Sequence, residues 1–158
     1  MPALAEICLV IALAGGGLVT GLLFAFSNFA MRALDEQSPR EAMAVMRAIN
    51  VRIINPVFFV LFFGTPLAAG VVVVLALRDF DAPGAAWRVV GGAAYLLGPL
   101  AITGLRNVPL NDRLAATPLE DAERAWLAYR VPWQRWNHLR TALGAVALIA
   151  LARGATLA

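Results

Sequence analysis

Long apolar runs alternate with short polar segments along this chain, and the run lengths set the architecture. Ile7 to Ala30 is apolar except for Thr20, Ser27 and Asn28; Ile53 to Leu77 forms a second run and roughly Ala85 to Leu105 a third. Each approaches or exceeds the ~20 residues a helix needs to cross a hydrocarbon core of ~30 Å. The fourth run, Thr141 to Ala152, is too short to cross alone. To span, it must take in the preceding Trp133, Trp136, Asn137, His138 and Arg140, so these residues lie at or inside the membrane boundary. The expected fold class is therefore all-α, a four-helix transmembrane bundle in one domain, with spans at about 7–30, 53–77, 85–105 and 133–152.

The links between spans carry helix starts. Ser38-Pro39-Arg40-Glu41 has a capping hydroxyl, a proline suited to the first helical position and a glutamate that reaches back to complete a capping box. Thr117-Pro118-Leu119-Glu120 repeats that arrangement. Ala42, Val45, Ile49 and Ile53 then recur at helical spacing, as do Trp126, Tyr129 and Trp133. Each stretch meets a proline, Pro56 or Pro132, where a kink into the next span is expected. Two amphipathic helices on the cytoplasmic side are thus predicted in addition to the spans. The side follows from arginine: the two long links and their span ends hold Arg32, Arg40, Arg47, Arg52, Arg106, Arg113, Arg124, Arg130, Arg135 and Arg140, against Arg78, Arg88 and Arg153 opposite. By the positive-inside rule the long links face the cytoplasm and both termini lie outside, as in a bacterial inner-membrane protein.

Composition agrees. Of 158 residues, 61% are hydrophobic and only 15% charged, with a mean hydropathy of +0.74. A water-soluble domain carries about 25% charged residues, so the surplus apolar surface must face membrane lipids. The net charge of +3 does not indicate a nucleic-acid partner, because the cations are scattered arginines with no basic run. The single cysteine, Cys8, has no disulfide partner and reads as a small hydrophobe packed in the first span. Residues Ile7 to Leu13 could imitate a secretory signal, but Glu6 precedes them instead of a cationic region, so the segment is expected to stay as a helix. Gly15-Gly16-Gly17 and Gly91-Gly92 permit close helix contact within a chain or in a homo-oligomer.

The candidate chemistry lies at the span ends. Asn28, Asn50, Asn55, Asn107, Asn111 and Asn137 come from four places in the chain, yet the topology gathers them at one end of the bundle. Strongly polar groups in a membrane are costly and tend to mark function, although arginines can snorkel and asparagines can cap helices there. Asn107 and Asn111 are spaced to share a helix face, as are Trp133, Asn137 and Thr141. An amide offers donor and acceptor without charge, which suits orienting a ligand oxygen in low dielectric, and the tryptophans would wall a flat ring. His138, the only histidine, is open to three uses: general base, haem ligand with Arg140 or Arg52 near the propionates, or structural residue. A non-haem metal site lacks a second histidine.

Asn107-Val108-Pro109-Leu110-Asn111-Asp112-Arg113-Leu114, followed by Trp133 and Trp136-Asn137-His138-Leu139-Arg140-Thr141, resembles the DUF1772 or anthrone oxygenase-like membrane family. Phe26, Asn28, Met46, Ile49-Asn50 and Asn55-Pro56 agree with it. The resemblance implies a four-helix membrane protein whose fungal relatives oxidise anthrones to anthraquinones with molecular oxygen. By that likeness the expected ligands are a hydrophobic aromatic small molecule and O2, with no resident cofactor and haem as the alternative. His138 would be the base, with Asn111, Asn137 and Arg140 beside it as catalytic groups. Asn28, Asn50, Asn107, Trp133 and Trp136 would bind the substrate. A non-catalytic protein binding a quinone-like or lipid ligand is the competing expectation.

Overall fold

The computed structural model describes residues 3–157, and they are helical almost throughout. Helix α1 runs Ala3–Asp35, α2 Pro39–Arg52, α3 Pro56–Arg78, α4 Ala85–Ala116 and α5 Ala122–Thr156. Four helices, α1, α3, α4 and α5, are long and apolar enough to cross a membrane, as the run lengths predict. At 1.5 Å per residue the 23 residues of α3 reach about 35 Å, little more than a hydrocarbon core. The other three are longer than a crossing needs, and their surplus turns meet α2 at the arginine-rich end.

The packing divides into two cores. In one half of the bundle, Cys8, Leu9 and Ala12 of α1 pack with Ala69, Val72, Tyr95, Ala147 and Leu151, so Cys8 serves as a buried apolar contact. Gly144 lets α1 and α5 approach closely, since a Cβ there would sit 2.6 Å from Thr20 Oγ1. At the arginine-rich end, Met43 and Met46 of α2 pack with Leu114, Trp126, Tyr129 and Trp133. Asp35 fastens that end, accepting from Trp126 Nε1 at 2.9 Å and from Arg130 at 3.0 Å. Gly84 takes a left-handed φ of 77° in the turn into α4, where a side chain would be strained.

The two helix starts behave differently. Ser38 forms the expected capping box with Glu41, and Asn55 caps α3 by accepting from the Phe58 amide at 3.0 Å, with Pro56 in the first turn. The second start is corrected: Thr117 makes no cap, and no separate surface helix precedes Pro132. The Thr117 hydroxyl donates back to the Arg113 carbonyl at 2.9 Å, and one tight turn at Leu119–Asp121 leads into α5. Helix α5 then continues through Pro132 without a break. The difference lies around the prolines: Pro56 follows the extended residue Asn55, whereas Pro132 is flanked in α5 by Tyr129 and Trp133, whose packing into the core keeps the helix running. The stripe on α2 also shifts, since Ala42, Met43 and Met46 are buried while Val45 is exposed.

Two widened turns were invisible in the sequence. Phe26–Ala30 in α1 and Leu96–Asn107 in α4 are wound as π-helix. Such turns are rare, and they accumulate at functional sites because they re-aim side chains. Both stretches flank the polar end of the bundle.

Candidate functional site at the arginine-rich end

A cavity of about 220 Å³ opens between α1, α2, α3 and α4, with α5 behind it. Its walls are apolar: Leu23, Phe26, Met46, Ile49, Phe58 and Phe62 among others. Phe58 stacks on Phe62 with ring centroids 5.1 Å apart, the i,i+4 relation that the FFVLFF run dictates. Leu22, Ile54, Phe59 and Phe63 also line it and are themselves exposed, so the mouth opens on the side of the bundle between apolar side chains. The polar lining is confined to Asn50, Thr103, Asn111, Arg140 and the indole of Trp133.

Arg140 dominates that polar wall. It is only 6% exposed, yet no carboxylate pairs with it among the described residues. Its Nε and one Nη donate to Asn137 Oδ1 at 3.0 and 2.7 Å, and the other Nη donates to Thr103 Oγ1 at 2.8 Å. The Trp133 ring lies 5.2 Å from the guanidinium carbon. A guanidinium has five N–H donors, so two remain for a ligand. Burying a cation without a counter-charge is costly, and neutral acceptors offset only part of that cost. The unspent potential makes this wall a place for negative charge.

The amides around Arg140 hold the wall in place. Asn137 is fully buried and donates to the Leu23 carbonyl at 2.9 Å and to Ser27 Oγ at 2.8 Å. Gln134 donates to the carbonyls of Phe26 and Ser27. The widened turn of α1 is thus tied to α5 through its own backbone oxygens, which leaves fewer polar groups orphaned in a dry interior. Thr103, in the widened part of α4, donates to the Pro99 carbonyl at 2.6 Å, which leaves its oxygen aimed to accept from Arg140. Asn107 and Asn111 do share a face, and between them they grip Trp133. Asn107 Nδ2 donates to the Trp133 carbonyl at 3.2 Å, and Asn111 Oδ1 accepts from its indole N–H at 2.9 Å and from Tyr129 at 2.8 Å. Asn50 Nδ2 is buried beside the Tyr129 hydroxyl without a hydrogen bond of good geometry, a donor only weakly engaged on the cavity wall.

Of the residues singled out in the sequence, Asn50, Asn111, Trp133 and Arg140 line the cavity, while Asn107 and Asn137 stand directly behind it. Four lie elsewhere. His138 is exposed and borders a separate groove between α1 and α5, together with Arg32, Gln134 and Arg135. Trp136 lies on an outer face, where Arg106 sits 4.8 Å from its ring. Asn28 is exposed and does not line the cavity. The physical reason is helical phase: Trp133, Asn137 and Arg140 share one face of α5, and His138 and Trp136 are turned away from it. Asn55 is a helix cap. Sequence reasoning missed Thr103, Ser27 and the phenylalanine ladder. The FFVLFF spacing could have revealed the ladder, whereas the other two depend on widened turns.

The profile of the family described as Anthrone oxygenase matches residues 58–150, more than half of the chain. The chain belongs to the anthrone oxygenase family. Neither the curated proteins nor the solved structures searched contain a match. The anthrone oxygenase match spans the phenylalanine ladder and every polar group from Thr103 to Arg140, but not Asn50 or the part of the wall that α1 contributes.

A haem in this anthrone oxygenase-family chain would need an axial donor with arginines nearby for its propionates. No histidine or cysteine lines the cavity, and His138 borders a separate groove that neither Arg140 nor Arg52 lines. Those residues do not fit a haem held by His138. Among the described residues no three His, Cys, Asp or Glu side chains gather as metal ligands would.

Proposed function

We propose that the protein is a membrane-embedded oxygenase that takes a flat, hydrophobic, enolisable aromatic ketone from the bilayer and oxidises it with O2. The observation that carries this reading is Arg140, a buried guanidinium without a carboxylate partner on the wall of an apolar cavity that opens on the side of the bundle. Such a ketone has an acidic CH2 carbon between its rings. When the ketone oxygen lies against the two remaining N–H donors of Arg140, negative charge on that oxygen is stabilised in low dielectric, and the carbon acid is strengthened. Asn50 Nδ2 is the further donor available to a second ligand oxygen.

The chemistry then balances without a protein nucleophile. The CH2 carbon loses a proton to a single water molecule that enters with the substrate, leaving an enolate, and that proton later returns to the outer peroxide oxygen. The enolate gives one electron to O2, and the resulting radical and superoxide join through a new C–O bond as a peroxide. Loss of water from the peroxide, with the remaining hydrogen of that carbon, leaves a carbonyl. One O2 is consumed, one oxygen atom enters the product and the other leaves as water. The walls hold the rings and exclude bulk water, while Asn137 and Thr103 fix the guanidinium. The protein residues lining the cavity include no carboxylate or imidazole, so this route assigns His138 no proton transfer.

The arginine-rich end is proposed to face the cytoplasm, with both termini outside, because ten of the thirteen arginines fall on that side. The test is turnover of anthrone by purified protein in detergent, followed by quinone absorbance and oxygen uptake together. Consumption of one O2 per quinone formed, above the uncatalysed rate and lost under nitrogen, supports the reading. Retention of anthrone without any acceleration of oxygen uptake would instead identify a non-catalytic binder.

A further inference from the structure

The groove that carries His138 is separate from the cavity and lies on the other side of the contact between α1 and α5. It has a volume of about 310 Å³ and is bordered by Arg32 and Asp35 from α1 and by Arg130, Gln134, Arg135 and His138 from α5. Its charge is unbalanced. Asp35 is the only acid on it, and both of its oxygens are engaged, one by Trp126 Nε1 and the other by Arg130. That leaves Arg32 and Arg135, exposed and without an ion pair or side-chain hydrogen bond, facing the groove from two different helices. His138, also exposed, adds a third nitrogen donor.

What lies below the groove matters as much. One helical turn toward the other end of the bundle, α1 exposes Phe24 and Gly21, and α5 exposes Ala142 and Ala145. Nothing stands within 4 Å of where a Cβ on Gly17 or Gly21 would be. Beyond the basic groove the surface is therefore apolar, with small residues exposed on both helices and Phe24 exposed on α1. A phosphate joined to an acyl chain matches that sequence of surfaces, whereas a free anion uses only the first.

We propose that this groove is a binding site for an anionic membrane phospholipid, its phosphate between Arg32 and Arg135 and one acyl chain along the exposed apolar surface of Gly21, Phe24 and Ala142. The position fits a leaflet boundary, where arginines at the ends of spans attract acidic headgroups. The site is independent of the oxygenase reading, because none of Arg32, Arg135 and His138 lines the cavity.

The test is native mass spectrometry of the full chain released from nanodiscs of mixed phosphatidylglycerol and phosphatidylcholine. Preferential retention of one phosphatidylglycerol is expected. The double variant Arg32→Gln/Arg135→Gln should weaken that retention roughly tenfold or more. The variant Arg40→Gln/Arg113→Gln removes two exposed arginines elsewhere and should leave it unchanged. Added inorganic phosphate in the millimolar range should not displace the lipid. Equal retention of the two lipids overturns the proposal, as does an Arg32/Arg135 variant that keeps the lipid. Displacement by phosphate alone would mark a free-anion site instead and also overturn it. Anthrone oxidation does not enter the readout, so failure here leaves the oxygenase reading untouched.

Discussion

Arg140 donates two hydrogen bonds to the amide oxygen of Asn137, three residues earlier on the same helix, at 3.0 and 2.7 Å. The pairing turns the guanidinium toward the cavity while leaving its charge uncancelled, because the acceptor is neutral. Converting the amide to a carboxylate keeps the shape and cancels the charge.

The variant Asn137→Asp gives the buried cation a partner but loses the Nδ2 donor to the Leu23 carbonyl, two opposed effects that should leave it folded with a thermal midpoint near that of the wild type. Its turnover of anthrone should fall by about 10²–10³, the cost of losing one stabilising donor group at an oxyanion. Paired measurements of midpoint and kcat check this. Wild-type turnover in a stable Asn137→Asp protein would show that free positive charge on Arg140 is not needed.

Asn111 accepts from both Tyr129 and Trp133, two buried side chains, so its loss strands two donors. Replacing it with Leu should cost about 2 kcal/mol or more, at about 1–3 kcal/mol for each unsatisfied buried group. Unfolding in a denaturing detergent reads the loss. Adding Tyr129→Phe to Asn111→Leu should recover part of it, because one stranded donor is then gone.

Asn55 provides the contrast. Its side chain caps α3 and does not line the cavity. The variant Asn55→Ala should lose about 1 kcal/mol of stability, as N-cap removals do, with kcat unchanged. A kcat that drops while the midpoint holds would place Asn55 in the site after all.

The capping box of α2 carries a pH dependence. Glu41 is held below its ordinary carboxyl value by hydrogen bonds from the Ser38 side chain and then from the Ser38 backbone N–H. A carboxyl lowered on folding adds stability above its unfolded value, near 4.5, and that contribution fades as pH falls through the folded value. The Glu41→Gln variant resembles the protonated form. The midpoint of the wild type should exceed that of the variant at neutral pH, and the two should converge in acid. A gap that persists or widens below pH ~4 contradicts the assignment.

The spans were legible because the lipid sets their length: twenty or more apolar residues admit little else. The positions of Asn111, Trp133, Asn137 and Arg140 were legible for a related reason, since a four-residue spacing on a helix fixes a shared face. His138 and Trp136 were misplaced relative to the cavity because proximity in sequence was allowed to stand for proximity in space, although each is turned well away from Asn137 around the helix. The second surface helix failed because a Thr-Pro-x-Glu start signals only where a helix can begin. Whether it later breaks depends on tertiary packing around Pro132, which no local signal contains. Thr103 and Ser27 were hidden for another reason: their aim depends on widened turns at Leu96–Asn107 and Phe26–Ala30, which the helical repeat does not foresee.

The central claim is that Arg140 stabilises negative charge on a ligand oxygen inside the apolar cavity. Its most direct test is a spectrophotometric pH titration of anthrone bound to the wild type and to Arg140→Met under nitrogen, following the longer-wavelength enolate band. With the guanidinium present, the enolate should form at a lower pH than it does for anthrone in protein-free detergent, and Arg140→Met should abolish that shift or reverse it. Superimposable titrations of the wild type and Arg140→Met, both with anthrone demonstrably bound, would contradict the account.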